Sequence, residues 1–156
     1  MTKNNAKDNN DNIQQPRQFT TSLRHHHYYY FIAAAVATGI AGIVHLYVPF
    51  SHSVMPKLTS HTVFFIGSGI AQIFWILPMI RRWGKPWYYI GIAGNVGFII
   101  LYVITRFPGN PVTGRGDGVD PVDMVCEIAQ VAYIAITAVI LAKESTIKAA
   151  EREQLR

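Results

Sequence analysis

The chain has 156 residues, of which 50% are hydrophobic and only 15% charged, well below the roughly one quarter charged that is usual in soluble domains. Four bilayer spans of roughly 20 apolar residues each would use about half of this length, which leaves no room for a second folded domain. The net charge of +5 does not point to nucleic acid, because the basic residues flank apolar runs instead of forming a stripe, and the single cysteine, Cys126, excludes an internal disulfide and a Cys-rich metal cluster.

Residues 1–27 open the chain with Asn, Asp, Gln and Lys and almost nothing to bury, which predicts a disordered cytoplasmic tail. The apolar segment that follows is too long and too far from Met1 for a cleaved signal peptide, and suits a signal-anchor. The first span runs from about Tyr28 to Val48 and stops at Pro49. The second runs from about Thr62 to Ile80, closed by Arg81, Arg82 and Trp83. The third begins after Pro86, a favoured first helical position, and ends near Thr105. Asp120-Pro121 reads as an N-cap followed by proline and opens the fourth span, which ends near Ala142. Residues 143–156 mix charges of both signs and predict a solvated cytoplasmic extension of that helix. The fold class is therefore all-α: an up-down-up-down bundle of four transmembrane helices over residues 28–142.

Orientation follows from the basic residues. Lys3, Lys7, Arg17 and Arg24 precede the first span, Arg81, Arg82 and Lys85 join the second to the third, and Lys143 and Lys148 follow the fourth. With four crossings these regions share one side, which the positive-inside rule makes cytoplasmic. The expectation is a multi-pass protein of the cell membrane with both termini inside. Tyr28, Tyr29, Tyr30, Trp83, Trp87, Tyr88 and Tyr89 supply an aromatic belt at that end, and the neighbouring His25, His26 and His27 read as part of it. Ala35 with Gly39, and Gly91, Gly94 and Gly97, read as packing positions between helices. The Gly114–Gly118 run lacks the rest of a nucleotide fingerprint.

Polar residues inside a span are costly and therefore informative. Gln72, Asn95 and Gln130 fall near mid-membrane and predict an amide layer that holds three helices in register. A second group gathers at the outer end. His45 lies in the last turn of the first span, His52 in the outer connection and His61 at the start of the second span; Arg106 ends the third, while Asp117, Asp120, Asp123 and Glu127 lead into the fourth. Glu127 follows Asp123 by four residues, on the same helical face as Gln130. Two or three imidazoles with a carboxylate suit copper or zinc, so His45, His52, His61, Asp123 and Glu127 form the candidate metal set. Each also has a structural reading: Asp120 as N-cap, Asp123 at the positive helix terminus, His52 and His61 facing water, and Arg106 paired with Glu127. Haem through His45 and His61 ranks below a bare ion, since no helix carries paired histidines.

His45-Leu46, then Phe64-Phe65 with Gln72, then Thr105-Arg106, Gly109 and Pro111, and finally Gly118, Asp123 and Glu127 form a pattern that resembles a family of small four-span membrane proteins of bacteria and archaea. The resemblance covers nearly all of the membrane portion and neither tail. Where that family usually has a carboxylate before the loop histidine, this chain has Ser51 before His52. The family has no assigned activity, and the association of some members with copper proteins implies copper ahead of zinc.

Three functions stay open. One is a binding protein with an outer-face His/carboxylate/Arg site for copper, zinc or a small ligand. Another is an accessory subunit of a larger membrane metalloenzyme, such as a copper-dependent oxidase or monooxygenase, or a homo-oligomer, packed through glycine faces. The third, an enzyme or electron carrier, has the least support, because no nucleophile–base pair or redox-cofactor signature is present.

Overall fold

A computed structural model describes residues 8–51, 60–112, 114, 116 and 118–154; for 8–27, 60, 151 and 154 it describes the backbone alone. Regular structure among these residues is entirely helical: α1 (Asp8–Ser51), α2 (Ser60–Phe74), α3 (Ile76–Ile80), α4 (Lys85–Thr105) and α5 (Pro121–Gln154). Four stretches are long and apolar enough to cross a membrane, namely Tyr28–Ser51, His61–Ile80, Lys85–Thr105 and Pro121–Ala150. They match the spans expected from sequence to within a few residues, except that the fourth continues further. Helical backbone also reaches back to Asp8, through the polar segment whose composition suggested disorder.

The second span is two helices, not one. Pro78 has no N–H to give the Phe74 carbonyl, and its ring crowds that carbonyl, so the ladder breaks one turn earlier. The Trp75 amide is shared between Ala71 O (3.0 Å) and Gln72 O (3.1 Å), and the Thr38 hydroxyl of α1 donates to Gln72 O at 3.0 Å. A break inside the bilayer is tolerable where such side chains serve the carbonyls it frees.

The turn from α3 to α4 uses two left-handed residues, Arg82 (φ 50°) and Gly84 (φ 103°). For Arg82 this costs about 1–2 kcal/mol. Its guanidinium lies 4.9 Å from the Phe31 ring centroid and 5.4 Å from that of Tyr28, which returns a cation–π contribution of similar size and ties the turn to the start of the first span. At the other end, the Asp120 carboxylate accepts from the Val122 amide at 2.8 Å, the N-cap expected for α5.

Helix α1 is the axis of the bundle. Its small residues Ala34, Ala35, Ala37, Thr38 and Ala41 are buried. The closest crossing is with α2: a Cβ on Gly69 would lie 2.9 Å from the Gly42 carbonyl, and one on Gly42 would lie 3.1 Å from the Gly69 carbonyl. The pairs Leu46/Gly69, Gly42/Ile73 and Gly39/Ile76 step in opposite directions along the two chains. Of the third-span glycines expected to pack, only Gly91 does, under Tyr133 and Trp75; a Cβ on Gly94 or Gly97 would meet nothing within 4 Å. Large apolar side chains such as Ile43, Ile70, Ile100 and Ile128 are exposed on the outside, as a bilayer-facing surface requires.

Candidate functional site

The buried end of α1 presents His45, 6% exposed, to the first turns of α5. Its Nδ1 lies 3.0 Å from the Ala41 carbonyl and 3.3 Å from Cys126 Sγ. These two neighbours ask for opposite roles. A proton on Nδ1 donates to Ala41 and leaves Nε2 as an acceptor, whereas a proton on Nε2 lets Nδ1 accept from the thiol. Phe65 of α2 and Phe98 of α4 flank the imidazole, each with a centroid separation of 5.5 Å. Four helices therefore meet at one ring.

Cys126 is equally buried, and Gln130 Nε2, one turn along α5, donates to its sulfur at 3.5 Å. Gln72 approaches His45 from α2, yet neither amide atom of Gln72 completes a hydrogen bond, and Gln130 Oε1 has none either. Both glutamines are almost wholly shielded, at 3% and 0% exposure. A buried polar atom without a partner costs about 1–3 kcal/mol.

Outside this core stands a charged group. Arg106 Nη2 pairs with Asp123 Oδ2 at 2.8 Å, Nη1 donates to the Gly118 carbonyl, and the guanidinium lies 4.0 Å from the Tyr102 ring centroid. The partner expected for Arg106 was Glu127, and the structure replaces it with Asp123. Arg106 caps the end of α4, which is level with the first turn of α5, and Glu127 sits a full turn deeper. Glu127 is half-buried and feels both Arg106 and Asp123 without joining an ion pair.

Of the expected five-residue metal set, the four members among the described residues, His45, His61, Asp123 and Glu127, do not gather at one point. Among the described residues no three His, Cys, Asp or Glu side chains converge on one point. His61 is exposed and packs on Phe65 at 4.7 Å, a ring that also contacts His45. Asp123 is committed to Arg106. His52 lies outside the described residues, as do Asp117 and Lys57, and the side chains of His25, His26 and His27.

The expected amide layer is also corrected. Asn95 Nδ2 donates to the Gly91 carbonyl of its own helix at 2.8 Å, Gln130 turns to Cys126, and Gln72 bonds to neither. An amide near its own helix finds a carbonyl one turn back, at no cost in helix separation.

Sequence reasoning missed Cys126, set aside as a lone cysteine, together with Tyr133, Thr137 and Trp75. The signal was present in the spacing: Cys126, Gln130, Tyr133 and Thr137 recur at steps of four, three and four, one helical face, and all are buried. The ridge chosen from sequence, Asp123–Glu127–Gln130, shares only Gln130 with the face that is buried. Deeper along the buried ridge, Tyr133 lies beside Trp75 and Thr137, and the polar atoms of all three lack hydrogen bonds, as does the Tyr88 hydroxyl.

Comparison with protein-family models, curated proteins and solved structures finds no match for this chain.

Proposed function

We propose that this chain is a membrane-embedded binding protein whose site is the His45–Cys126 pair, and that it takes a single soft metal ion, Cu(I). One observation supports this above the others: an imidazole nitrogen and a thiol sulfur from two helices lie 3.3 Å apart in a shielded core, beside the Gln72 amide and the Gln130 Oε1, whose polar atoms lack partners. Thiolate and imidazole together suit Cu(I), which accepts few ligands. Zinc wants four, or three and a water, and the described residues do not bring that many together. On binding, the Cys126 proton leaves and His45 serves as a neutral ligand. Nδ1, the nitrogen beside the thiol, would be the ligand, with the imidazole proton on Nε2 and the approach of Nδ1 to the Ala41 carbonyl given up.

The basic residues that flank the spans, with Arg82 and Lys143 at the Tyr28–Tyr30 end of the bundle, favour cytoplasmic termini. The His45 end then faces outward, with Arg106, Asp123 and Glu127 at its mouth. The test is Cu(I) titration of purified, reduced protein against a chromophoric chelator, with His45→Ala and Cys126→Ser alongside. One tight Cu(I) per chain, lost in both variants, is expected. Binding unaffected by either substitution, or no binding to wild type, refutes the site.

A second reading has its own observation. Helix α4 leaves Gly94 and Gly97 with nothing against them, a surface on which a partner helix could approach closely. An accessory subunit of a larger membrane metalloenzyme, or a homo-oligomer, fits that surface, and the resemblance to small four-span proteins associated with copper proteins agrees with it.

A further inference from the structure

At the opposite end of the bundle from His45, the first residue of α4 and the last turns of α5 border an open cavity of about 490 Å³ lined by Lys85, Ser145, Lys148, Ala149, Arg152 and Glu153. Three of these six side chains are cations and one is an acid. Among the described residues none of the three cations forms an ion pair. Their neighbours differ: Arg82 lies over the Tyr28 and Phe31 rings, and Lys143 donates to the Tyr30 hydroxyl at 3.1 Å. Cationic side chains at this end therefore fall into two groups, one engaged by the protein and one collected around a hollow.

The level of the cavity matters. Trp83 and Trp87, with ring centroids 4.8 Å apart, lie at this end of the second and third spans, where tryptophan marks the headgroup region of a bilayer. Helix α4 also opens here, at Gly84, without a side-chain cap on its first amides, so its positive terminus adds to the field of the three cations. The Ser145 hydroxyl turns back to the Leu141 and Ala142 carbonyls at 3.1 and 2.7 Å, which leaves recognition to the charges. Below the cavity, the exposed face of α4 carries Tyr89 and Ile90, apolar surface suited to an acyl chain.

We infer that Lys85, Lys148 and Arg152 form a binding site for the phosphate of an anionic phospholipid headgroup. Strong acceptor oxygens at that depth in a bilayer belong to lipid phosphates, and a cavity of this size is adequate for a phosphoglycerol group. An anionic lipid is favoured over a zwitterionic one because three cations face one carboxylate, and a choline ammonium would be repelled.

The test is lipid retention. Full-length protein is reconstituted in vesicles of equal parts phosphatidylcholine and phosphatidylglycerol, extracted in mild detergent, and the lipid that stays bound is read by native mass spectrometry. Wild type is expected to retain phosphatidylglycerol in marked preference. K148Q/R152Q should lower that preference by about fivefold per cation removed, and the charge-conserving K148R/R152K should keep it, which separates recognition from folding. Equal retention of both lipids by wild type overturns the proposal, as does an unchanged preference in K148Q/R152Q. Release of the lipid by millimolar inorganic phosphate would assign the cavity to the free ion instead and overturn the lipid assignment.

Discussion

The spanning part of α1, Tyr28–Ser51, and helix α4 have nearly the same apolar character and opposite roles. In α1, 44% of the most apolar stretch is buried; in α4 the figure is 17%. Both carry small residues at helical spacing, but those of α1 (Ala34, Ala35, Thr38, Ala41, Gly42) lie under α2, α3 and α5, while Gly94 and Gly97 of α4 touch nothing. In a bilayer, hydrophobicity cannot tell an inner helix from an outer one, because lipid tails are as apolar as leucine. What distinguishes α1 is close backbone approach and the polar atoms it must satisfy, Thr38 with Gln72 O and His45 with Cys126. The site lies on the helix that packs most, and that is where rigid geometry is available.

Substitution can break the contrast directly, and the largest effect belongs to the α1–α2 crossing. Gly69→Leu puts a side chain where a Cβ alone would be 2.9 Å from the Gly42 carbonyl. The helices must separate, at a cost of about 3 kcal/mol or more, read as a large drop in the thermal midpoint in detergent and, because α2 carries Gln72, as weakened Cu(I) binding. An unchanged midpoint would show that the crossing is not close.

A smaller effect is expected where α4 joins α5. Arg106→Ala removes the Asp123 ion pair, the Gly118 contact and the stacking on Tyr102. The two members of that ion pair are only partly shielded, with side-chain exposures of 19% for Arg106 and 25% for Asp123, so the loss should be about 1 kcal/mol. Chemical denaturation measures it, and Asp123→Ala combined with Arg106→Ala should cost less than the sum of the singles. Additive losses would mean the pair is not coupled.

The smallest effect on the isolated chain is Gly94→Leu, expected to change its stability by no more than about 0.5 kcal/mol, because nothing lies against that position. The same variant sharpens the choice between a lone binding protein and a subunit. If α4 docks against a partner, Gly94→Leu should shift the mass of the detergent-solubilised particle while leaving the fold intact. If the mass does not move, the α4 surface faces lipid.

Much of this was legible in the sequence, and for definite reasons. Four apolar runs of bilayer length dictate helices, since a chain in hydrocarbon must satisfy its own backbone. Asp120 and Pro121 mark the start of α5 by local chemistry alone, and the Asp120 cap is found. The break at Trp75 was also available, from Pro78. Less could be read of the site. His45 was identifiable because an ionisable group inside a span is expensive wherever it points. Cys126 carries no such cost, so nothing local sets it apart, and only its spacing to Gln130 and Tyr133 marks the buried face.

Sequence by itself therefore determined the number and approximate extent of the apolar spans and the identity of the costly polar residues, because these depend on short-range rules and on transfer free energy. Tertiary structure decided which polar residues meet. The turn of α5 about its own axis sends Cys126 and not Glu127 to His45, and depth along the bundle gives Asp123 and not Glu127 to Arg106. Helix rotation is fixed by packing against α1, a sum of many weak contacts that no stretch of sequence states alone.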